Sequence, residues 1–370
     1  MTVQDQPAAS EWLGGRSRGL QWVGLLTLSL FLIWALEQVH LPAALLLGPM
    51  AAAILVAAGE GTIRVPLTLF ATAQALVGCM MARSIPASIV AEIARDWPLF
   101  IAGIFSVLLC SSLLGWVLTK WQVMPGTTAI WGSAPGAAAA MTVIAGEYGA
   151  DVRLVAFMQY LRVVCVALVA SLVARIWTTA SGTPPATIWL PDIAWLPFMQ
   201  TLALAAFAVF AGPRLRIPGG ALMIPLVLGA LLQDTGLMTI ELPPWLLAGS
   251  YAFIGWNIGL RFTRPILRHA MRALPVVLAS TLALIALCGV FAGLLVVFAG
   301  IDPLTAYLAT SPGGADSVGI IAASVPVDVP FVMTMQTTRF LVVLLTGPAI
   351  ARLIVKLAGA KDGPPQDLHR

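Results

Sequence analysis

Charged side chains are scarce in this sequence. Only 10% of its 370 residues are Asp, Glu, Lys or Arg, whereas 59% are hydrophobic, and soluble domains carry about a quarter charged residues. Even a large domain buries only roughly three quarters of its unfolded surface, so a water-soluble fold of this length could not hide so much apolar area. The composition excludes an ordinary soluble protein and predicts a chain that crosses a lipid bilayer several times.

Metal-ligating side chains are also few. The three histidines His40, His269 and His369 stand far apart, with no two at helical ligand spacing. The four cysteines are isolated and form no C-x-x-C pair: Cys79, Cys110, Cys165 and Cys288. Because metal sites need several such ligands together, we expect no metal and no cofactor. No nucleophile–base arrangement is evident either, so we expect no enzymatic activity.

The basic balance of the chain does not indicate nucleic acid. Its formal charge is +4, but the Lys and Arg residues lie mostly in short segments between apolar runs, as the positive-inside rule predicts for cytoplasmic loops. No recognition helix or basic arm is present. We therefore expect the lipid bilayer and a small solute or ion as partners, and no nucleic acid. A homo-oligomer is left open.

The hydropathy pattern predicts the fold class, an all-α polytopic membrane protein with about 10–12 membrane-spanning segments. Arg16 and Arg18 precede a first apolar run that lacks a small-residue cleavage site, which favours an uncleaved first helix. The apolar runs, whose ends are good to a few residues, are about 20–40, 42–58, 66–82, 97–119, 127–146, 152–177, 193–212, 218–232, 245–260, 274–299, 304–323 and 329–353.

The two halves of the chain repeat each other. With an offset of 177, residues 128–162 match residues 305–339 at 13 of 35 positions without a gap, including a Pro-Gly pair, Asp-Val, Met-Gln and an arginine. Farther upstream, "LPAALLLGPM" from Leu41 matches "IPGGALMIPL" from Ile217. We predict an N-terminal tail (1–19), membrane repeat 1 (20–180), a Thr/Pro-rich linker (181–192), membrane repeat 2 (193–356) and a C-terminal tail (357–370).

The orientation of the repeats is harder to predict. Six helices in each half would make the repeats parallel. However, the basic loop "RFTRPILRHAMR" from Arg261 has a nearly charge-balanced counterpart at 83–97, which favours opposite orientations. An inverted arrangement needs an odd number of crossings, for instance if residues 218–232 are re-entrant or merge with a neighbour.

Each repeat contains a Pro-Gly site inside an apolar run, "GSAPGAAAA" from Gly132 and "TSPGGADSV" from Thr310. Proline removes a backbone donor and glycine frees the backbone from helical geometry. Either site alone could be a kink at a helix-packing contact. Two equivalent sites favour broken helices whose ends bind ions or polar groups. The helix-break residues are Pro135, Gly136, Pro312, Gly313 and Gly314.

Asp316 is the acid within the second break, and its counterpart is Ala139. A carboxylate at membrane depth is costly and indicates function, here binding of a coupling cation or a proton. Alternatively, Asp316 caps the second half-helix or pairs with an arginine. Neutral oxygens at the same level are further candidate ligands: Thr310, Ser311, Ser317, Ser133 and Thr142.

Arg162 and Arg339 are equivalent arginines about ten residues into the helix after each break. Gln159 and Gln336 stand one turn earlier on the same face. A guanidinium fork suits carboxylate or phosphate groups, so we consider these four residues for solute binding. Bracing of the carbonyl ends of the broken helices is an equal alternative.

The pattern P-G…D-V…Q-x-x-R, together with "LPAALLLGPM" and "SAPGAAAAMTVIAGEYGADVRLVAFMQYLRVV", resembles the membrane-bound AbrB family of bacteria, or AbrB duplication family, over about residues 20–356. The resemblance implies a multi-pass protein of the bacterial inner membrane. Members have been labelled as regulators of gene expression or as ammonia monooxygenases. No DNA-binding element or metal-ligand cluster in this sequence supports either label.

More distantly, "SPGGADS" is similar to the broken-helix signature of sodium/bile-acid symporters, and "IGWNIGLRFTRPIL" resembles the helix before their basic loop. That similarity implies five-helix inverted repeats, two broken helices that cross, and alternating access. The chain lacks their cysteine and adds Asp316 and the two arginines, so neither sodium coupling nor substrate class carries over. We expect a secondary transporter for a small polar or anionic solute, coupled to an ion or proton. The alternative is a membrane-embedded regulator or sensor without transport.

Overall fold

A computed structural model describes residues 15–39, 41, 43–83, 97–121, 124, 127–134, 145, 150–178, 189–215, 219–271 and 273–358. Within these ranges the secondary structure is entirely helical, which confirms the all-α fold class. The first fourteen residues, most of the linker, and the C-terminal tail from residue 359 lie outside the described residues.

Fourteen helices can be assigned in the described ranges. They are α1 (Arg18–Gln38), α2 (Ala44–Ala58), α3 (Leu67–Arg83), α4 (Trp97–Lys120), α5 (Thr128–Ser133), α6 (Val152–Thr178), α7 (Trp195–Arg214), α8 (Gly220–Asp234), α9 (Pro244–Gly259), α10 (Arg264–Ala270), α11 (Leu274–Ala299), α12 (Pro303–Thr310), α13 (Ala315–Ala323) and α14 (Val329–Ala358). Apart from the short α10, each lies on a predicted apolar run.

Five of these helices, α1, α4, α6, α7 and α11, are long and apolar enough to cross a bilayer, and α2, α3 and α8 are shorter apolar helices. Large apolar side chains on their outer surfaces face away from the protein, for example Trp34, Leu196 and Phe298 at 58%, 72% and 81% exposure. Hydrocarbon around the molecule gives such side chains an apolar environment. The chain is a multi-pass membrane protein.

One end of the molecule, the basic end, contains residues 59–66 and 260–270. Glu60 forms an ion pair with Arg264 at 2.7 Å. His269 at the end of α10 lies 2.6 Å from Asp151, which precedes α6. Burial and the neighbouring Arg261 charge lower the pKa of Arg64. Positive charge is therefore concentrated where α2 and α9 end and where α6 begins.

The opposite end, the acidic end, contains residues 234–243, 300–302 and 324–328, with Asp234, Glu241, Asp302 and Asp328. Contacts along the helices tie these segments together. The Gln233 side chain donates to the Arg83 carbonyl where α8 and α3 end. A Cβ atom at Gly319 of α13 would meet both Met81, near the end of α3, and Met333, near the start of α14.

The long helices α4 and α11 run in opposite directions. Phe100 stacks near Phe331 with ring centroids 5.3 Å apart, and a Cβ at Gly103 would meet Met335, so α4 and α14 are parallel and start at the acidic end. Leu99 near the start of α4 packs against a cluster that contains Ala292 and Leu295 near the end of α11. Consequently α11, the counterpart of α4, runs from the basic end to the acidic end.

The second and third helices of each half, α2 and α3 or α8 and α9, pack against those of the other half. A Cβ at Gly78 of α3 would lie 2.5 Å from the Leu222 carbonyl oxygen of α8. At the equivalent position on α9, a Cβ at Gly255 would lie 2.7 Å from the Leu46 carbonyl oxygen of α2. Only glycine permits such close backbone approach, so α3 packs tightly on α8 and α9 on α2.

The helix α8 covers most of the apolar run predicted at 218–232. It begins beside Gly212 near the end of α7 and ends beside Arg83 at the end of α3. A Cβ at Gly229 would meet Leu204 of α7, so α7 and α8 are antiparallel.

Candidate functional site

The second Pro-Gly site separates two short helices. α12 ends at Thr310 and α13 begins at Ala315, and residues 311–314 between them are not helical. Ser311 and Gly314 have extended backbone, with ψ of 137° and 144°. Pro312 cannot donate a backbone hydrogen bond, and the glycines that follow it let the chain leave the helix.

The chain reverses direction at this site. The Asp328 amide donates to Thr305 Oγ1 over 3.2 Å, so the start of α14 lies beside the start of α12. Collinear helices would place Ala323 more than about 25 Å from Thr305, and the five residues to Asp328 span at most roughly 17 Å. α12 and α13 therefore form a helical hairpin, here called the C-terminal hairpin, that enters and leaves at the acidic end.

The expectation drawn from the sodium/bile-acid symporters, two broken helices that cross each other, did not include this reversal. A Pro-Gly break shows where a helix ends, but it does not fix the direction in which the chain continues. In this structure the closing contacts of Thr305 with Asp328, and of Gly319 with Met333, make α13 antiparallel to α14.

The first half shows the same contacts at the opposite end of the molecule. The Asp151 amide donates to Thr128 Oγ1 over 3.0 Å, so α5 and α6 both begin at the basic end. Asp151 Oδ1 also accepts from the Leu154 amide, and Asp328 Oδ1 accepts from the Phe331 amide. Both aspartates therefore cap a helix.

Gln336 and Arg339 on α14 hold the inner end of α12. Gln336 Nε2 donates to the Leu308 and Ser311 carbonyl oxygens over 2.8 and 3.2 Å. Arg339 donates to the Ser311 and Gly313 carbonyl oxygens over 2.5 and 2.8 Å, and also to Gln336 Oε1. These donors satisfy carbonyl groups that the ended helix leaves without partners.

Gln159 and Arg162 on α6 make the equivalent contacts with α5. Gln159 Nε2 donates to the Trp131 and Ala134 carbonyl oxygens over 2.9 and 3.0 Å. Arg162 donates to the Ala134 carbonyl oxygen over 3.0 Å and to Gln159 Oε1 over 2.8 Å. Of the two roles considered for the arginines, the described contacts are those of bracing.

The two braced ends meet inside the molecule. A Cβ at Gly313 would lie 2.9 Å from Val166, which is one helical turn beyond Arg162. Ala134 and Val343, one turn beyond Arg339, line a common cavity of about 20 Å³ between α4, α5 and α14. Each helix end thus touches the long helix of the other half. We call this meeting point the central site.

The predicted hydroxyl ligands are buried near the central site, and each donates to a carbonyl within its own helix. Thr310 Oγ1 donates to the Ala306 carbonyl oxygen over 2.9 Å and also contacts the Cys288 carbonyl oxygen. The other three hydroxyls bond within one turn: Ser133 to Ile130, Ser311 to Leu308 and Ser317 to Gly314.

Several predicted residues fall outside the described residues. Pro135, Gly136 and Thr142 are among them, so the first break beyond Ala134 is not described. Asp316 is the second residue of α13, and its side chain is likewise outside the description. Its backbone position, in the first turn of a helix, is one where a carboxylate is favoured.

Sequence reasoning missed two side chains of the central site. Cys288 on α11 was interpreted as a small apolar residue, yet its thiol lies within electrostatic reach of both arginines. Tyr307 on α12 packs against Cys165 and Val166, and its buried hydroxyl has no hydrogen-bond partner. An isolated cysteine and a tyrosine in apolar runs give no periodic signal by which they could have been found.

Among the described residues, no group of three His, Cys, Asp or Glu side chains is placed to hold a metal ion. The donor set of the central site is guanidinium, amide and hydroxyl. Such groups recognise oxyanions or organic solutes better than transition metals.

Comparison with known proteins identifies the family. A family model described as "Transition state regulatory protein AbrB" matches residues 45–355. The chain belongs to the AbrB family. The match covers the helices from α2 to α14, including both braced helix ends, and confirms the resemblance that the duplicated Pro-Gly pattern indicated.

Two similar proteins extend the comparison. A protein of Escherichia coli (strain K12), named "Putative regulator AbrB", is 48% identical over 337 residues, which cover 90% of this chain and 97% of that protein. A protein of Bacillus subtilis (strain 168), named "Uncharacterized protein YhjN", is 28% identical over 308 residues, covering 79% of this chain and 80% of the relative.

Proposed function

We propose that this AbrB-family protein is a secondary transporter for a small polar or anionic solute. The observation that carries the proposal is the meeting of two braced helix ends, one entering from the basic end and one from the acidic end, at a polar site within an apolar protein. Non-helical backbone at membrane depth is tolerated where it lines a solute or ion site. Small movements of either helix end would open the site to one side only.

Inverted repeats support alternating access around that site. With the hairpin entering and leaving on one side, each half contributes five crossings: α1, α2, α3, α4 and α6, then α7, α8, α9, α11 and α14. An odd number places the second half upside down relative to the first, in agreement with the opposite directions of α4 and α11. In inverted repeats, each half can adopt the packing of the other, which exchanges the open side.

The charge distribution supports an orientation in the bacterial inner membrane. The basic end contains Arg64, Arg153 and the arginines of residues 261–268, whereas the described loops of the acidic end contain Asp234, Glu241 and Asp302. By the positive-inside rule the basic end faces the cytoplasm. The N-terminal helix α1 then starts in the cytoplasm, since the Gln21 side chain near its start bonds Thr62 at the basic end.

Asp316 is the proposed coupling group. It stands at the start of α13, beside the break that Arg339 holds, and a carboxylate at this depth binds a cation or exchanges a proton. The hydroxyl oxygens of Thr310, Ser311 and Ser317 from the same hairpin are suitable neutral ligands for a cation. Ser133 offers one more from the first half.

Uptake by proteoliposomes tests the transporter proposal. Purified protein is reconstituted and screened with radiolabelled organic acids, amino acids and sugars, with and without an imposed proton or sodium gradient. We expect gradient-dependent uptake of at least one solute, abolished in Asp316→Asn and reduced at least tenfold in Arg339→Ala. As a matched control, Arg153→Gln, an exposed arginine at the start of α6, should transport normally.

The alternative is a membrane-embedded regulator without transport. The name of the Escherichia coli relative, 48% identical, favours it. A strain that lacks the protein would then show altered transcription that Asp316→Asn and Arg339→Ala still complement, and no solute in the screen would be taken up. That pair of results would replace the transporter proposal.

A further inference from the structure

The two arginines of the central site bring more positive charge into the membrane than their described partners balance. Arg162 and Arg339 are only 4% and 5% exposed. Among the described side chains, Glu60 pairs with Arg264 and Asp151 with His269 at the basic end, and none of these acids pairs with Arg162 or Arg339. The arginines bond instead to backbone carbonyls and to a glutamine amide oxygen.

Carbonyl dipoles compensate this charge only in part. The carbonyl end of a helix corresponds to roughly half a negative charge, and α5 and α12 present one such end each to one arginine each. A buried charge is costly unless it is paired. The two guanidinium groups are also close enough for Arg339 to exert electrostatic repulsion on Arg162. An anion between them would relieve both the excess charge and the repulsion.

Unused hydrogen-bond donors face the same region. Arg162 Nε is buried and has no partner, although its terminal nitrogens are bonded. The Tyr307 hydroxyl is also buried without a partner. The Tyr307 side chain packs against a cluster that includes Val166, one turn beyond Arg162 on α6. A buried donor without a partner is costly, and an oxyanion ligand would supply the missing acceptor.

We propose that the central site binds a small oxyanion, a solute with a carboxylate, sulfonate or phosphate group, between Arg162 and Arg339, with the Tyr307 hydroxyl as a further donor. The proposal rests on the proposed transporter function only in that the bound oxyanion is taken to be the transported solute. It makes the guanidinium groups substrate ligands as well as braces. The 20 Å³ cavity beside Ala134 has room for about one water molecule, so the anion enters when a braced helix end moves.

Isothermal titration calorimetry on the purified protein in detergent tests this site without any requirement for flux. The probes are acetate, succinate, sulfate and inorganic phosphate, compared with glucose and methylammonium. We expect one or more oxyanions to bind. Arg162→Gln and Arg339→Gln should weaken that binding by about tenfold or more, and Tyr307→Phe by a few-fold. The exposed control Arg153→Gln should bind as the unsubstituted protein does.

Conservative variants separate a loss of binding from a loss of folding. Arg162→Lys and Arg339→Lys keep the charge but lose the fork, and should elute as monodisperse protein while binding the oxyanion about tenfold more weakly. If every arginine variant misfolds, the probes on unsubstituted protein and on Tyr307→Phe decide. The proposal is overturned if no oxyanion binds, if only glucose or methylammonium binds, or if the folded variants bind as tightly as the unsubstituted protein.

The same data separate the two proposals. Uptake of a neutral or cationic solute without oxyanion binding overturns the anion site and leaves the transporter function standing. Oxyanion binding in detergent without uptake of that anion under any gradient overturns the transporter function and leaves a binding site.

Discussion

At the residue scale, the central feature is a glutamine and an arginine one turn apart, present once in each half. A helix that ends leaves its last carbonyl groups without partners, and hydrocarbon offers no water to replace them. Gln336 and Arg339 supply the missing donors to α12, and Gln159 and Arg162 supply them to α5. The Q-x-x-R pattern is therefore first a device that lets a helix end within the membrane.

Replacement of Gln336 by leucine should destabilise the protein. The variant removes the donor to two carbonyl oxygens and the acceptor for Arg339, which leaves buried polar groups unpaired at about 1–3 kcal/mol. We expect a lower unfolding midpoint in an SDS titration from mild detergent micelles. The control Thr346→Val, at an exposed position on the same helix, should leave the midpoint nearly unchanged. Equal midpoints for the two variants would contradict the bracing role.

The glutamines and arginines of this pattern could be identified from the sequence, because such side chains are rare in apolar runs and recur here at equivalent positions. The groups that they contact could not be identified in the same way. Backbone carbonyls carry no sequence signal, and the positions of Cys288 and Tyr307 depend on how α11 and α12 pack against α6. From the sequence, bracing and solute binding therefore stayed open for the arginines, because the choice depends on which groups their side chains contact.

At the element scale, close helix contacts hold the scaffold. In the pairs α3–α8 and α9–α2, a glycine lets one backbone approach the other helix to within contact of its carbonyl oxygens. Small residues at helix interfaces replace the hydrophobic driving force that is absent in lipid. These contacts determine which helices of the two halves pack against each other.

Alanine at Gly78 or Gly255 should weaken that packing. The added Cβ would lie 2.5 Å from the Leu222 carbonyl oxygen or 2.7 Å from the Leu46 carbonyl oxygen, and backbone atoms cannot rotate away. Overpacking of this kind costs roughly 1–3 kcal/mol, measurable as a lower unfolding midpoint. Gly249→Ala on the same helix as Gly255, where the added atom meets nothing within 4 Å, should be neutral or stabilising by up to about 1 kcal/mol.

Element positions were predictable, whereas the reversal within the C-terminal hairpin was not. The apolar run predicted at 274–299 coincides with α11, and that at 152–177 differs from α6 by one residue, because hydrocarbon demands long unbroken apolar segments. The reversal at residues 311–314 could not be read from the sequence, since Pro and Gly end a helix without choosing the next direction. The contact of Asp328 with Thr305 shows that the chain turns back towards the start of α12.

At the scale of the whole molecule, the halves are interlocked rather than placed side by side. Because α2 packs on α9 and α3 on α8, each half lacks its main packing partner when it is alone. We expect residues 1–190 and 191–370, expressed separately, to aggregate or be degraded, and to be recovered together when co-expressed. Size-exclusion profiles of fluorescently tagged halves report the result. Either half eluting alone as a sharp, monodisperse peak would contradict the interlocked arrangement.

The orientation of the molecule leads to a separate labelling prediction. In a chain whose four cysteines are replaced by alanine, a cysteine at Gly236 lies at the acidic end and one at Arg268 at the basic end. A membrane-impermeant maleimide applied to intact spheroplasts should label Gly236→Cys and leave Arg268→Cys unmodified until the membrane is permeabilised. Labelling of both from outside would rule out the proposed arrangement of loops.

Cysteine accessibility at the two helix ends tests alternating access most directly, and it needs no knowledge of the solute. Ser133 and Thr310 are equivalent buried residues beside the two breaks. In the cysteine-free chain, Ser133→Cys and Thr310→Cys are treated with an impermeant thiol reagent in right-side-out and inverted vesicles. We predict that each position reacts from both sides, and that any ligand or gradient that increases reaction from one side decreases it from the other. Reaction of both positions from the same single side, or from neither, would contradict a site that opens alternately.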